Sequence, residues 1–169
     1  MFQIGDKVTT KNYGVCIIKD IEKKTFNNEI KEYFVLDALF KNAHTNTMKI
    51  YILKDKAADQ MRPVLSKDEV LKLIDGFNEL EDIKIVEFRA RRNTFEELYK
   101  TGDIKKHCQL IKSLYVLDLE FKTKSKTLPY KDREYFEKLK TTVYDEFANA
   151  LEITPGEVEI LIGKKVQNK

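Results

Sequence analysis

MRPVLSKDEVLKLIDGF, residues 61–77, is the stretch that decides the fold. Ahead of it, apolar residues come in short β-rich runs. From Ser66 onward they recur at Val70, Leu71, Ile74 and Phe77, which is the spacing of one helix face. Ser66-Lys-Asp-Glu69 is a capping box: the Ser hydroxyl accepts from an orphan amide of the first turn, and the Glu carboxylate reaches back to the cap. A change of period at this point predicts an α+β chain in two domains, 1–60 and 66–169, with the boundary in residues 55–63.

Upstream, Phe2–Val8 is expected to form a short strand with a turn at Gly5-Asp6. Lys11-Asn12-Tyr13-Gly14 is a turn, since Gly14 takes positive φ without steric penalty. Val15–Ile21 is an apolar strand, Asn27-Asn28-Glu29 a hairpin loop, Ile30–Leu39 a third strand, and Thr47–Leu53 a return strand. Four or five short strands in this space predict a small curled sheet or SH3-like barrel.

Downstream, about five helices are expected. The second runs from about Ile83 to Tyr99 and ends at Gly102, a left-handed C-terminal cap. The third starts at Asp103, with Ile104, Cys108, Ile111, Leu114 and Tyr115 on its core side. KTKSKT, residues 122–127, is a polar linker. Pro129 opens a fourth helix lined by Phe136, Leu139, Val143, Phe147 and Leu151. Thr154-Pro155-Gly-Glu157 opens the fifth.

The chain has 169 residues, 42% hydrophobic and 35% charged, with net charge +3. That total hides an uneven spread: residues 84–140 carry +6, while 65–83 carry −4 and 141–169 carry −2. Cys16 and Cys108 stand far apart in apolar surroundings and read as small core residues. The N-terminus has no apolar signal core, and no run approaches the length of a membrane span, so a cytoplasmic protein is expected.

Enzyme signatures are lacking. The six glycines are scattered and build no phosphate loop. The two histidines are His44, in a loop, and His107, beside Cys108. Adjacent helical residues point about 100° apart, and no second pair completes a tetrahedral set, so neither a metal nor a cofactor is expected. Glu96-Glu97 and Glu157/Glu159 lie at helix starts or on exposed faces, where carboxylates need no catalytic reason.

The basic centre is FRARRN, residues 88–93. Its plain reading is a core Phe88 with arginines facing water. Its sharper reading is a nucleic-acid grip. Arginine forks match phosphate oxygens, and a ring beside them can wedge at a minor-groove step. Phe88, Arg89, Arg91 and Arg92, with Lys122, Lys124 and Lys126, are the candidate DNA-binding residues. Such contacts read backbone and shape, with weak sequence preference and strong salt dependence.

Nearly end to end, the chain resembles the CarD/CdnL family of bacterial RNA polymerase-binding transcription regulators. The resemblance rests on MFQIGDKVTTKNYGVCIIKDIEKK at the start, KEYFVLDAL, QMRPVLSKDEV, the series Phe88…Arg91…Tyr99…Thr101-Gly102-Asp103, and LPYKDREYFEKLKTTVYDEFANAL near the end. It implies a Tudor-like N-terminal domain, shared with the transcription-repair coupling factor, that docks on the polymerase β subunit in part by strand pairing. It also implies a helical domain that reaches promoter DNA at the upstream edge of the bubble and stabilises the open complex. The resemblance makes Lys24, Lys49, Ile50 and Tyr51 candidate polymerase-binding residues. It departs from the family at three places. Phe88 stands where a wedging tryptophan is usual, Lys24 and Lys49 near positions that often carry arginine, and Ile50-Tyr51-Ile52 where a proline usually ends the strand. The alternatives are a protein–protein adaptor and a polymerase binder without the DNA wedge. Homodimerisation by barrel swapping or edge pairing is left open.

Overall fold

The computed structural model describes residues 1–43 and 45–168. It divides into two compact units, Met1–Leu65 and Ser66–Lys169. In the first, β1 (Lys7–Thr10), β2 (Gly14–Phe26), β3 (Glu29–Ala38), β4 (Ile50–Leu53) and β5 (Met61–Pro63) form one antiparallel sheet in the order β4-β3-β2-β1-β5. The register puts the apolar set on one face: Val8 opposite Cys16, Ile18 opposite Leu36, Phe34 opposite Ile52, and Leu36 opposite Ile50. All of these are buried, together with Ala38, Ala57 and Met61. A bulge between Ile18 and Asp20 lets Ile18 and Ile21 face inward although they are three residues apart, and Ile21 pairs with Phe34. The β2–β3 hairpin turns through Asn27 (φ 49) and Asn28 (φ 63), the two-residue geometry that matches strand twist. Gly14 (φ 65) follows the β1–β2 turn, where Thr10 Oγ1 donates to the Gly14 carbonyl and accepts from the Tyr13 amide.

Several strand boundaries differ from expectation. The first strand begins at Lys7, because Phe2–Asp6 is a turn closed by the Gln3 amide on Asp6 Oδ2 at 2.8 Å, with Gly5 at φ 95. The return strand is shortened to Ile50–Leu53. The stretch read as a boundary holds a 3-10 turn (Lys54–Lys56), a one-turn helix α1 (Ala57–Gln60) and β5, whose Arg62 and Met61 pair with Thr9 and Thr10. Three residues that end on a proline carry no period to detect. The ladder stays open: β4 and β5 are its edges, and no pairing joins them among the described residues. The expected barrel is therefore, by its hydrogen bonds, an open five-stranded sheet.

The second unit is helical: α2 (Lys67–Asp75), α3 (Phe88–Lys100), α4 (Ile104–Thr123), α5 (Tyr130–Leu139), α6 (Asp145–Leu151) and α7 (Pro155–Gln167). A π-helical turn, Lys140–Tyr144, joins α5 to α6. The fourth expected helix is thus one run with a π turn inside it, stopped at Glu152 in the left-handed conformation (φ 57). Ser66 and Thr154 both close capping boxes, with Glu69 and Glu157. Asp103 caps α4 by accepting from the Lys105 and Lys106 amides. Val70, Ile74, Phe77, Phe95, Cys108, Ile111, Leu114, Phe136, Leu139, Val143 and Phe147 are buried. Leu71, placed on the core face from its spacing, is exposed. Burial pushes the Cys108 thiol up to about 12, so it is an inert core residue at neutral pH.

Candidate nucleic-acid interface and docking edge

The helix expected from Ile83 begins five residues later. Glu87 is the reason: its carboxylate accepts from the Arg89 and Ala90 amides, caps α3, and makes Phe88 the first helical residue. These amide bonds, with Ala90 the stronger, hold the Glu87 carboxyl below its usual range. The segment before it, residues 81–86, belongs to no helix or strand, and neighbouring side chains bond its backbone. Lys112, buried on α4, donates to the carbonyls of Leu80 and Asn78 and pairs with Asp82. Gln109 donates to Glu81, and Ser113 accepts from the Ile83 amide at 2.8 Å. Arg91 donates to the carbonyls of Ile85 and Val86.

Arg91 therefore does not display its charge. It is 5% exposed, and its fork grips buried Asp132 of α5 at 2.7 and 3.2 Å. Of the candidate DNA contacts, Arg91 is the one the structure turns inward: all three of its guanidinium nitrogens are bonded internally. Helix geometry explains this, since Arg91 and buried Phe95 are one turn apart on the inward face. The fork also lies 5.6 Å below the Phe88 ring. Phe88 itself is 41% exposed, so its ring is neither sealed in the core nor fully free. Arg89 is exposed and Arg92 half-buried.

The structure brings the start of α3 and the basic linker to one end of the helical unit. Asp132, which Arg91 holds, lies in the first turn of α5, directly after that linker. Lys124 and Lys126 are exposed there. Lys122 is exposed too, but pairs with Asp118 at 2.6 Å across one helical turn, and that bond raises its pKa. Two exposed groups at this end were missed from the sequence: Val86, 95% exposed, and Tyr130, the first residue of α5, 68% exposed. The doublet Tyr130-Lys131 echoes Phe88-Arg89 and was the available signal.

In the sheet unit, three of the four docking candidates lie together at the surface. The Lys24 ammonium sits 3.2 Å from the Tyr51 ring centroid. Both side chains are exposed, and Lys49 is exposed just before β4. Ile50 differs: its side chain is 3% exposed and packs in the core, which leaves its backbone as the part available to a partner. β4 is an edge strand, so among the described residues no strand neighbours its outer side.

The remaining polar candidates have structural roles. His107 stacks on Tyr99, with ring centroids 5.5 Å apart, and its Nε2 lies 2.9 Å from the Tyr99 carbonyl. Glu96 binds Lys100, Glu159 binds Lys140, and the Glu157 carboxylate accepts from the Thr154 amide to complete the α7 capping box. Among the described residues, no cluster of His, Cys, Asp and Glu is arranged to hold a metal ion. No helix there is long and apolar enough to cross a membrane. His44 lies outside the described residues.

Residues 2–65, which cover the sheet unit, match the CarD-like/TRCF RID domain family. The chain is also similar to a Bacillus subtilis (strain 168) protein named "Putative transcription factor YdeB". The two are 26% identical over 160 residues, spanning 94% of this chain and 95% of that protein.

Proposed function

We propose that this chain, a CarD-like protein, is a transcription regulator that binds RNA polymerase with its sheet unit and holds promoter DNA with the start of α3. The open sheet docks on the β subunit, with β4 offering its edge to a strand of the partner. Lys24, Lys49 and Tyr51 flank that edge, and Ile50 contributes backbone alone. In the helical unit Phe88 wedges at the upstream edge of the melted bubble while Arg89, Arg92, Lys124 and Lys126 bind phosphates. The result is a longer-lived open complex. One observation carries this reading: the Phe88 ring is partly open to solvent at a helix start, beside an exposed Arg89, on a backbone held by buried side chains.

Phenylalanine wedges without the indole N–H and with less stacking area than tryptophan. The withdrawal of Arg91 into the interior favours a second reading, a polymerase binder without the DNA grip. Open-complex lifetime on a purified promoter separates them. The first reading expects the wild-type protein to lengthen it and Phe88→Ala to remove most of that gain while β-subunit capture persists. Unchanged lifetimes together with retained capture select the second.

A further inference from the structure

Two helices of the second unit open on the same pattern. α3 begins Phe88-Arg89-Ala90-Arg91, and α5 begins Tyr130-Lys131-Asp132-Arg133, in each case a ring, a cation, a spacer and a cation. Both rings are at the surface, and Tyr130 is the more open of the two. The helices also run in the same direction. Arg91, in the first turn of α3, grips Asp132 in the first turn of α5. Further along, Tyr99 of α3 lies 5.7 Å from Tyr135 of α5. Their starts therefore share one end of the unit, the end that the basic linker enters.

The charges at this end favour one kind of occupant. Residues 84–93 and 124–134 hold eight cations and three acids, and each acid is already engaged. Glu87 caps α3, Asp132 holds Arg91, and Glu134 bridges Lys131 and Lys138, which keep its carboxyl down at about 2. Arg89, Lys124, Lys126 and Arg133 are left exposed. Separate rings set among exposed cations fit a polyanion that carries flat bases. They fit poorly to an apolar protein helix, which needs a contiguous greasy face.

We infer that Tyr130 is a second base-stacking ring of the nucleic-acid face, set beside Phe88 at the duplex fork that the proposed function already assigns to it. The inference rests on the DNA reading given above. Phe88 seats at the junction step, and Tyr130 stacks on a base that has already left the helix. Stacking of this kind accepts any base, since each has a π-face.

The test is fluorescence anisotropy at low ionic strength, using the full chain, a forked DNA with unpaired ends and the matched blunt duplex. Tyr130→Ala is expected to weaken fork binding roughly five- to tenfold and leave duplex binding nearly unchanged. Tyr130→Phe keeps fork affinity, because the ring and not the hydroxyl does the stacking. The exposed position predicts an unchanged melting temperature for both variants. Tyr130→Ala that binds the fork like wild type while Phe88→Ala does not overturns the role of Tyr130 and leaves that of Phe88 standing. Equal losses on fork and duplex, or a Phe variant as weak as the Ala variant, overturn stacking as the mechanism. A wild-type protein with no salt-sensitive affinity for either DNA overturns the DNA reading itself.

Discussion

In the sheet unit the Lys24 ammonium rests 3.2 Å from the Tyr51 ring, and both side chains face solvent. In the helical unit the Arg91 guanidinium lies 5.6 Å from the Phe88 ring, and of that pair the ring alone is open. Phe88 and Arg91 are neighbours on one helix, whereas Lys24 and Tyr51 come from different strands, and the two pairs do different things. A lysine is a single hydrated charge on a flexible stem, free to leave its ring for a partner. Arg91 spends its fork on Asp132 and on the carbonyls of Ile85 and Val86. It serves as a strut that aims Phe88, whereas Lys24 is part of the displayed surface. Burial, and not residue type, separates the roles.

The largest effect expected from this contrast is on stability. Arg91→Ala strands a buried carboxylate and two carbonyls, and should destabilise the helical unit by about 3–5 kcal/mol. Arg91→Lys recovers part of this, since one ammonium cannot reproduce the fork. Denaturant midpoints followed by circular dichroism measure both. A midpoint within error of wild type for the Ala variant would free Arg91 for the surface and erase the difference between the two pairs.

A buried charge lacking such a strut sharpens the same point. Asp145 is 6% exposed, and burial lifts its carboxyl to about 7. In the unfolded chain it titrates near the ordinary carboxylate value, so between about pH 4 and 7 the folded state holds the extra proton. Stability therefore falls as pH rises through that window and stays low above it. Asp145→Asn should stabilise by up to about 4 kcal/mol at pH 8, and the gain should vanish toward pH 4. Thermal melts across pH check it. A gain that does not change with pH would mean that Asp145 is not the titrating group.

The sequence showed as much of this as periodicity can carry. The change of period at Ser66, the capping boxes at Ser66 and Thr154, and the Asn27-Asn28 turn are local features, and each appears in the structure. β5 was illegible because three residues have no period, and its partner β1 lies some fifty positions away. At the candidate site, a spacing of three to four residues put Phe88, Arg91, Arg92 and Phe95 broadly on one side of α3. It did not say which way that side faced. Asp132, forty-one residues downstream, decides it. A long-range ion pair leaves no trace in a sequence window, so Arg91 was placed with Arg89 among the candidate DNA contacts.

That distinction between neighbouring arginines gives a smaller, functional effect. Arg89 is exposed at the first turn of α3. Arg89→Ala should move stability by no more than ~0.5 kcal/mol while reducing the slope of log affinity against log salt by about one for DNA. Binding titrations at four salt concentrations read this directly. An unchanged slope would place Arg89 away from the phosphates and leave the lysines of the linker to carry the charge.

The smallest expected effect belongs to the other member of the comparison. Lys24 and Tyr51 form an exposed cation–ring contact, worth about 0.5 kcal/mol to the fold. Lys24→Ala should therefore leave the sheet unit nearly as stable as before, because Val35, Leu36 and Ile52 hold β3 against β4 without it. Its consequence lies at the surface. With the ammonium gone, the Tyr51 ring loses its cation, and the surface beside the β4 edge loses a charge. Capture of the β subunit should weaken several-fold in Lys24→Ala. Lys24→Arg should hold or improve it, since a guanidinium stacks flat on a ring and can still reach an acidic partner. Should the Ala variant instead unfold the sheet unit, Lys24 would be a strut like Arg91, and the two pairs would be one device used twice.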